Sequence, residues 1–292
     1  ILDNFCWSDS NNPTRLYELK RAAEACYDVA VAYGTPYISG KDSMFNDFRG
    51  YISRDDAPSA ALRGPGFSLV VPSSTPHSQL SPRLASEASS RDLSKDVVPI
   101  HIAALPTLLI SAIGVIPDVR KAVTIDIKQP GDLLYVIGET NDELGASEYF
   151  TMLSEKYGHG VSIHNNMELL IGNIVPQVHT ASNMKVYRAL EKAIQKGLVA
   201  SAISVGRGGL AVALAKTAIA GQLGLRLNLN LLPSNVRADD AILFSESQGR
   251  LLVSVNPKLR RKFEKTLRGV TSKLIGEVTK KESLDLKLRD SR

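Results

Sequence analysis

The chain has 292 residues, with 35 Lys and Arg against 30 Asp and Glu for a net charge of +5. Apolar residues make up 43% and charged residues 22%, the balance of a soluble globular protein with ample length for one large domain or two ordinary ones. No apolar run approaches the roughly 20 residues that span a bilayer, and the longest, Ile110 to Ile116, has strand length.

The N-terminus runs from Ile1-Leu2-Asp3 directly into polar sequence, without a signal-peptide pattern or an initiator Met, which suggests a start inside a longer protein. Cys6 and Cys26 have neither a metal-ligand spacing nor a disulfide framework, and a reducing cytoplasm suits them. Residues Pro13 to Tyr33 read as a helix: Pro13 fits a first turn, and Leu16, Leu19, Ala23, Cys26, Tyr27 and Ala30 form a stripe of period 3.6. Gly34 ends it, and Pro36-Tyr37-Ile38 reads as a short strand. Gly40-Lys41-Asp42-Ser43-Met44 follows as a loop just past that strand end, where open α/β layers place ligands. Backbone amides and Lys41 suit phosphate oxygens, and an Asp or Asn suits a metal ion; alone, the pattern also fits an exposed turn. With the helix as crossover, Asp3, Asn4 and Gly40 to Ser43 are expected at one polar pocket.

From about Asp47 to Ala104, Ser and Pro dominate, as in Pro72-Ser73-Ser74-Thr75-Pro76. This reads as a largely irregular insertion, removable between Arg54 and Val97 with little loss of stability. Pro106 to Ile116 reads as a buried strand, Asp118 to Pro130 as a polar connection, and Gly131 to Gly138 as the next strand. Two lobes are expected, 1–118 and 119–292. In the second, Tyr187 to Lys196 and Gly209 to Ala220 read as helices, with a strand at Val199 to Val205 between them. Gly206-Arg207-Gly208-Gly209 then joins a strand to a helix N-terminus. That is either an anion site or a glycine turn chosen for tight packing. Leu225 to Leu231 and Leu251 to Val255 read as strands, Pro257 to Leu267 as a helix and Ile275 to Val278 as a closing strand. Arg260, Arg261, Lys262, Lys265, Arg268 and Lys273 lack interleaved aromatics and read as a solvated face, so no nucleic-acid partner is expected. Glu282 to Arg292 is expected to fray.

Several blocks in this order, DNFCW, SGKDSMFNDF, PTLLISAIGVI, PGDLLYVIGET with NDELGASEYF, GLVASAISVGRGGLAVALA and LFSESQGRLLVSV, resemble the phosphoribosylformylglycinamidine synthase family. That family belongs to the wider group of aminoimidazole-ribotide-synthetase-like ATP-binding proteins. The resemblance covers Leu2 to Asn46 and Leu105 to about Thr279. It implies a two-lobe α+β and α/β fold: a β-rich N-terminal lobe, incomplete here, that associates with a partner lobe into a barrel-like sheet, and an α/β C-terminal lobe. The chain is similar to the second of two such units.

The reaction implied is ligation in purine biosynthesis. Formylglycinamide ribonucleotide, ATP and glutamine-derived ammonia give the amidine, ADP and phosphate, with Mg²⁺ across the phosphates. The implied partners are a complementary synthetase unit and a glutaminase. By resemblance Asp3, Gly40 and Lys41 contact nucleotide, Asn4 contacts metal and Ser43 contacts substrate; Asp42 is the second metal candidate, on the chemistry of its carboxylate alone. Gly208 and Gly209 form a second nucleotide wall. There the family's metal-binding acid is replaced by Ser204, within Ile203-Ser204-Val205-Gly206, and Arg207 is added. Glu246-Ser247-Gln248 resembles a substrate-contacting turn of the first unit and equally suits a structural turn. None of His77, His101, His159, His164 or His179 matches the family's catalytic histidine, so no general base is named. The isolated chain is expected to bind adenine nucleotide weakly or not at all and to form no amidine product. Two alternatives stay open: a non-catalytic half completing a partner's site, and another ATP-dependent member of the group, selenophosphate-synthetase-like or hydrogenase-maturation-like.

Overall fold

A computed structural model describes residues 1–53, 67–69, 97–157, 174–232, 236 and 238–288. The chain divides into two compact units, Ile1–Gly114 and Val115–Arg292.

In the first unit β1 (Leu2–Cys6) leads through helix α1 (Pro13–Tyr33) to β2 (Ser39–Ser43). The helix has the bounds its apolar period predicts, and its first amides are capped by the Asn12 side chain, which accepts from Thr14 and Arg15. The strand expected at Pro36 to Ile38 lies instead at Ser39–Ser43, the supposed loop. Its polar composition hides it: β2 is an edge strand held by parallel backbone pairing to β1, so it needs no apolar alternation. On the other side β1 pairs antiparallel with β6 (Thr107–Ser111). That strand was expected to be buried, yet Leu109 is 59% exposed and no residue of α1 is buried, Tyr27 being 69% exposed. Within the described residues of this unit both faces are only partly covered: Leu19, Cys26 and Ala30 of α1 and Leu108 of β6 are half-buried.

The expectation of a largely irregular stretch from Asp47 to Ala104 is corrected where that stretch is described. β3 (Phe48–Ser53), β4 (Phe67–Leu69) and β5 (Val97–Ile102) form a three-stranded antiparallel sheet in the order β3-β5-β4. The average Ser/Pro content masked short aromatic and β-branched runs at its edges. Replacing Arg54 to Val97 would therefore delete β4 and clip β5. Residues 54–66 and 70–96, with the Ser/Pro run and His77, lie outside the described residues, as do His159 and His164.

The start of this sheet is tied to the end of β1. Asp47, whose side chain is 3% exposed, receives the Asp9 amide at 3.3 Å and lies 2.8 Å from His101 Nε2 through the same oxygen. Arg49 donates to Asp9 at 3.2 Å. Burial pushes the Asp47 carboxyl up, but the His101 hydrogen bond and the backbone amides outweigh it and hold the group below the usual carboxylate range.

The second unit is a six-stranded mixed sheet. Its strands are β7 (Leu133–Ile137), β8 (Ser201–Ser204), β9 (Gly224–Asn228), β10 (Leu251–Val255), β11 (Ser272–Thr279) and β12 (Leu284–Lys287), in the order β12-β9-β11-β7-β10-β8. Its helices are α2 (Glu148–Tyr157), α3 (Thr180–Gln195), α4 (Gly209–Gly221), α5 (Asp239–Phe244) and α6 (Arg260–Thr266). The run Leu133-Leu134-Tyr135-Val136-Ile137 is apolar throughout because β7 is covered on both faces. Leu134 and Val136 join Leu210 and Leu214 of α4 and Ile242 of α5 in one cluster. Tyr135 and Ile137 join Val186 and Leu190 of α3 and Phe263 of α6 in the other. The Tyr135 and Phe263 rings lie 4.9 Å apart, and the Tyr135 hydroxyl donates to Glu264 at 2.9 Å.

Three expectations shift here. Helix α3 begins at Thr180, two turns before Tyr187, because Asn183 and Val186 are buried. Pro257 to Leu267 splits into a 3₁₀ turn at Pro257–Leu259 and the short helix α6. The supposedly frayed tail contains β12, which pairs in parallel with β9, while 289–292 lie outside the described residues. Arg261, Lys262, Lys265, Arg268 and Lys273 are exposed, and Arg260 pairs with Glu264 at 2.9 Å. No helix among the described residues is long and apolar enough to cross a membrane.

Phe263→Ala should cost about 3–5 kcal/mol, since Phe263 is fully buried against Tyr135; chemical denaturation of the chain and its variant measures it. Asp47→Asn should lower stability at neutral pH. Because the folded Asp47 carboxyl is depressed, the wild-type advantage is complete above the unfolded value of about 4. It fades as pH falls through the lower folded value. Unfolding curves of both proteins across that acidic range should converge.

Candidate functional site

In the first unit the β1–β2 register sets Asp3 beside Gly40, Asn4 beside Lys41, Phe5 beside Asp42 and Cys6 beside Ser43. The two motif blocks are therefore neighbours, joined by hydrogen bonds along five residue pairs. The approach at Gly40 is close: a Cβ there would sit 2.9 Å from the Asp3 carboxyl carbon, so the Asp3 side chain would have to swing aside. Asp3, Asn4 and Ser43 are half-buried, whereas Gly40, Lys41 and Asp42 are exposed.

The expectation of one pocket for all six needs correction. Side chains alternate along a strand, and directly paired residues of neighbouring strands share a face. Asp3, Gly40 and Asp42 thus lie on one face, and Asn4, Lys41 and Ser43 on the other. The pair proposed for metal, Asn4 and Asp42, is split across the sheet. No group of three or more His, Cys, Asp or Glu that could hold a metal ion occurs among the described residues. The donor set does not fit a resident Mg²⁺ held by Asn4 and Asp42.

The face with Asn4, Lys41 and Ser43 combines a carboxamide, an ammonium and a hydroxyl, a set suited to an anionic ligand. Ser43 is fixed by its own carbonyl, which accepts the Trp7 amide and the Asn46 side-chain amide, each at 2.9 Å. The Asn46 backbone amide returns to the Trp7 carbonyl at 3.0 Å. Between them Phe45 adopts φ = 58°, an uncommon value for an aromatic residue. Asn46 and Asp47 therefore brace the end of the strand pair. Sequence reading passed over both, although the Asn-Asp pair directly after the motif is the signal that marks a turn with side-chain hydrogen bonds.

In the second unit the glycine turn after β8 leads into α4 as expected, with Gly208 at φ = 79° and Gly209 at φ = 67°. The expectation that Gly208 and Gly209 present free amides to a nucleotide is not met. Gly208 N–H donates to Glu246 Oε1 at 2.8 Å, and Gly209 N–H donates to the Gly206 carbonyl at 2.9 Å. The same Glu246 oxygen accepts the Glu148 amide at 2.9 Å, at the N-terminus of α2. Arg207 is also committed, since its guanidinium pairs with the Glu148 carboxylate.

Behind this turn lies Arg250, 1% exposed. It donates to the Ser247 carbonyl at 3.2 Å, to Thr140 Oγ1 at 3.2 Å and to the Ser245 carbonyl. Burial pushes its guanidinium down to about 10, while the charges of Glu143 and Glu246 act in the opposite sense. Glu143 Oε1 accepts the Gln177 amide at 3.1 Å, and its buried Oε2 has no hydrogen-bond partner. The Glu246-Ser247-Gln248 turn thus serves as a structural turn inside this unit.

Residues 129–289 match the family described as AIR synthase related protein, C-terminal domain. The phosphoribosylformylglycinamidine synthase subunit PurL of Methanocaldococcus jannaschii is 28% identical over 264 residues, covering 90% of this chain and 28% of that protein. The PurL subunit of Lactobacillus helveticus is 26% identical over 99% of this chain and 29% of its own length. The chain thus spans less than a third of these curated relatives. Among solved structures, T. maritima PurL complexed with ATP superposes with a TM-score of 0.53 at 14% identity, over 99% of this chain and 35% of that one. E. coli HypE, a hydrogenase maturation protein, gives 0.54 at 16% identity, over 100% and 70%. These two likenesses concern the fold, which is the AIR-synthase-like one. With more than half its length matched, the chain belongs to the AIR synthase related family.

Proposed function

We propose that this chain is the second synthetase unit of a phosphoribosylformylglycinamidine synthase, and that its first unit contributes one wall of a nucleotide and substrate site. The observation that carries the reading is the β1–β2 register, which sets Asn4 beside Lys41 with Ser43 on the same face. Both motif blocks resemble the purine enzyme, and the PurL relatives support the same assignment. A PurL structure described as complexed with FGAR and another with ATP agree in ligand class.

In the proposed reaction ATP activates the amide oxygen of formylglycinamide ribonucleotide, and ammonia from a glutaminase partner displaces the phosphate. Lys41 neutralises phosphate charge and Ser43 Oγ hydrogen-bonds substrate. Mg²⁺ arrives with the nucleotide, as part of the substrate. The partly covered apolar faces of α1 and β6 favour a complementary synthetase unit as partner, and the two free thiols suit a reducing cytoplasm.

A second reading, a half that completes a partner's site without binding nucleotide, is favoured by the committed amides of Gly208 and Gly209. Steady-state kinetics of the complete synthetase decide between the two. Ser43→Ala should lower kcat/KM for formylglycinamide ribonucleotide by roughly 10- to 100-fold, the worth of a hydrogen bond to a charged group. Lys41→Ala should raise KM for ATP about 10-fold or more. Wild-type turnover in both variants would assign this unit the scaffold role.

A further inference from the structure

The N-terminus of α4 brings no acceptor of its own. Its cap is Gly208, without a side chain, and its first turn holds no acidic residue. Such an end exposes N–H groups and the positive pole of the helix, the ordinary setting for a bound phosphate. Here one carboxylate oxygen, Glu246 Oε1, accepts both the Gly208 amide at 2.8 Å and the Glu148 amide at 2.9 Å. Two helix ends, α4 and α2, therefore meet on a single anionic oxygen.

That oxygen is held in place from behind. Arg250 takes the carbonyls of Ser245 and Ser247, the residues on either side of Glu246. The Glu246 amide donates to the Glu143 carbonyl at 3.3 Å. The backbone bearing the carboxylate is fixed before the carboxylate is placed. We infer that Glu246 is the resident anion of the glycine turn, a tethered carboxylate that excludes phosphate-bearing ligands from Gly206 to Gly209 and so determines what this unit can bind.

Two physical arguments support this. A tethered group competes at an effective concentration of millimolar or more without losing translational freedom, so a free nucleotide must outbid a partner that never leaves. A phosphate placed at the turn would also meet the Glu148 carboxylate, while the exposed cation of the turn, Arg207, is already paired with it. Removing the Glu246 carboxylate reverses the situation: the Gly208 and Glu148 amides then lack their acceptor, and of the two carboxylates that favour the charged Arg250 only Glu143 is left. The inference is independent of which reaction the family member catalyses.

The test is anion rescue of the full chain. Thermal unfolding of wild type, Glu246→Ala and Glu246→Gln is followed in sodium formate, in inorganic phosphate and in chloride at matched ionic strength. Glu246→Ala should have a lower Tm than wild type in chloride. Formate and phosphate should each raise it by a shift about three times that of wild type or larger. Glu246→Gln, which keeps a carbonyl for the two amides, should respond like wild type. Equal responses of wild type and Glu246→Ala, or none in either, would overturn the inference, and rescue by formate without phosphate would overturn its phosphate part. If Glu246→Ala does not fold in chloride, it is refolded in formate and in phosphate. Recovery in both supports the inference, and failure in both overturns it.

Discussion

Taking a guanidinium out of water costs several kcal/mol unless its N–H groups find acceptors. Arg250 meets that demand with two backbone carbonyls and a threonine hydroxyl. Because those carbonyls belong to Ser245 and Ser247, the cost of burying the charge becomes the constraint that shapes the whole turn. The turn presents Glu246 to α2 and α4, and α4 in turn packs on one face of the central sheet. The Ser247 hydroxyl continues the chain of contacts by accepting the Asn141 amide at 3.1 Å, just past β7. A charge that is expensive to bury therefore sets the position of groups on three separate elements.

The first unit is organised by a different constraint, the pleat. Parallel pairing puts the two motif blocks in register, and the alternation of the pleat then divides them into two chemical faces. One face carries carboxylates against a glycine; the other carries a carboxamide, an ammonium and a hydroxyl. The brace at the strand ends, built from Asn46, Asp47, Asp9 and His101 together with the backbone of the buried Trp7, keeps Ser43 in place. Any ligand taken up here meets one of these faces, so its charge selects the side.

What the sequence made legible follows from where apolar patterns act alone. Helix α1 was found to the residue because a stripe, a Pro start and a Gly stop coincide, and β10 because five apolar or small residues lie between polar ends. Strand β2 was missed because Ser-Gly-Lys-Asp-Ser has no strand signature, and β12 because an edge strand is defined by its neighbour. Helices α2 and α5 are short and touch each other, as in the stacked rings of Tyr149 and Phe244 at 4.8 Å. At the site, the closeness of Asp3 to Gly40 could be anticipated from order along the chain. The division into faces depends on register to a single residue, and the capture of the Gly208 amide depends on Glu246, far along the chain. Neither leaves a local trace.

The sheet of the second unit has a consequence for its synthesis. Its inner strand β7 is the first to be made, yet its two neighbours, β10 and β11, lie beyond residue 250. As the polypeptide leaves the ribosome, the apolar run from Leu133 to Ile137 must remain without its ladder until nearly the whole unit has emerged. Contacts so distant in sequence close slowly, and a waiting apolar strand is a target for mispairing or for a chaperone. The ladder of this unit therefore closes late, once β10 and β11 have emerged, rather than strand by strand.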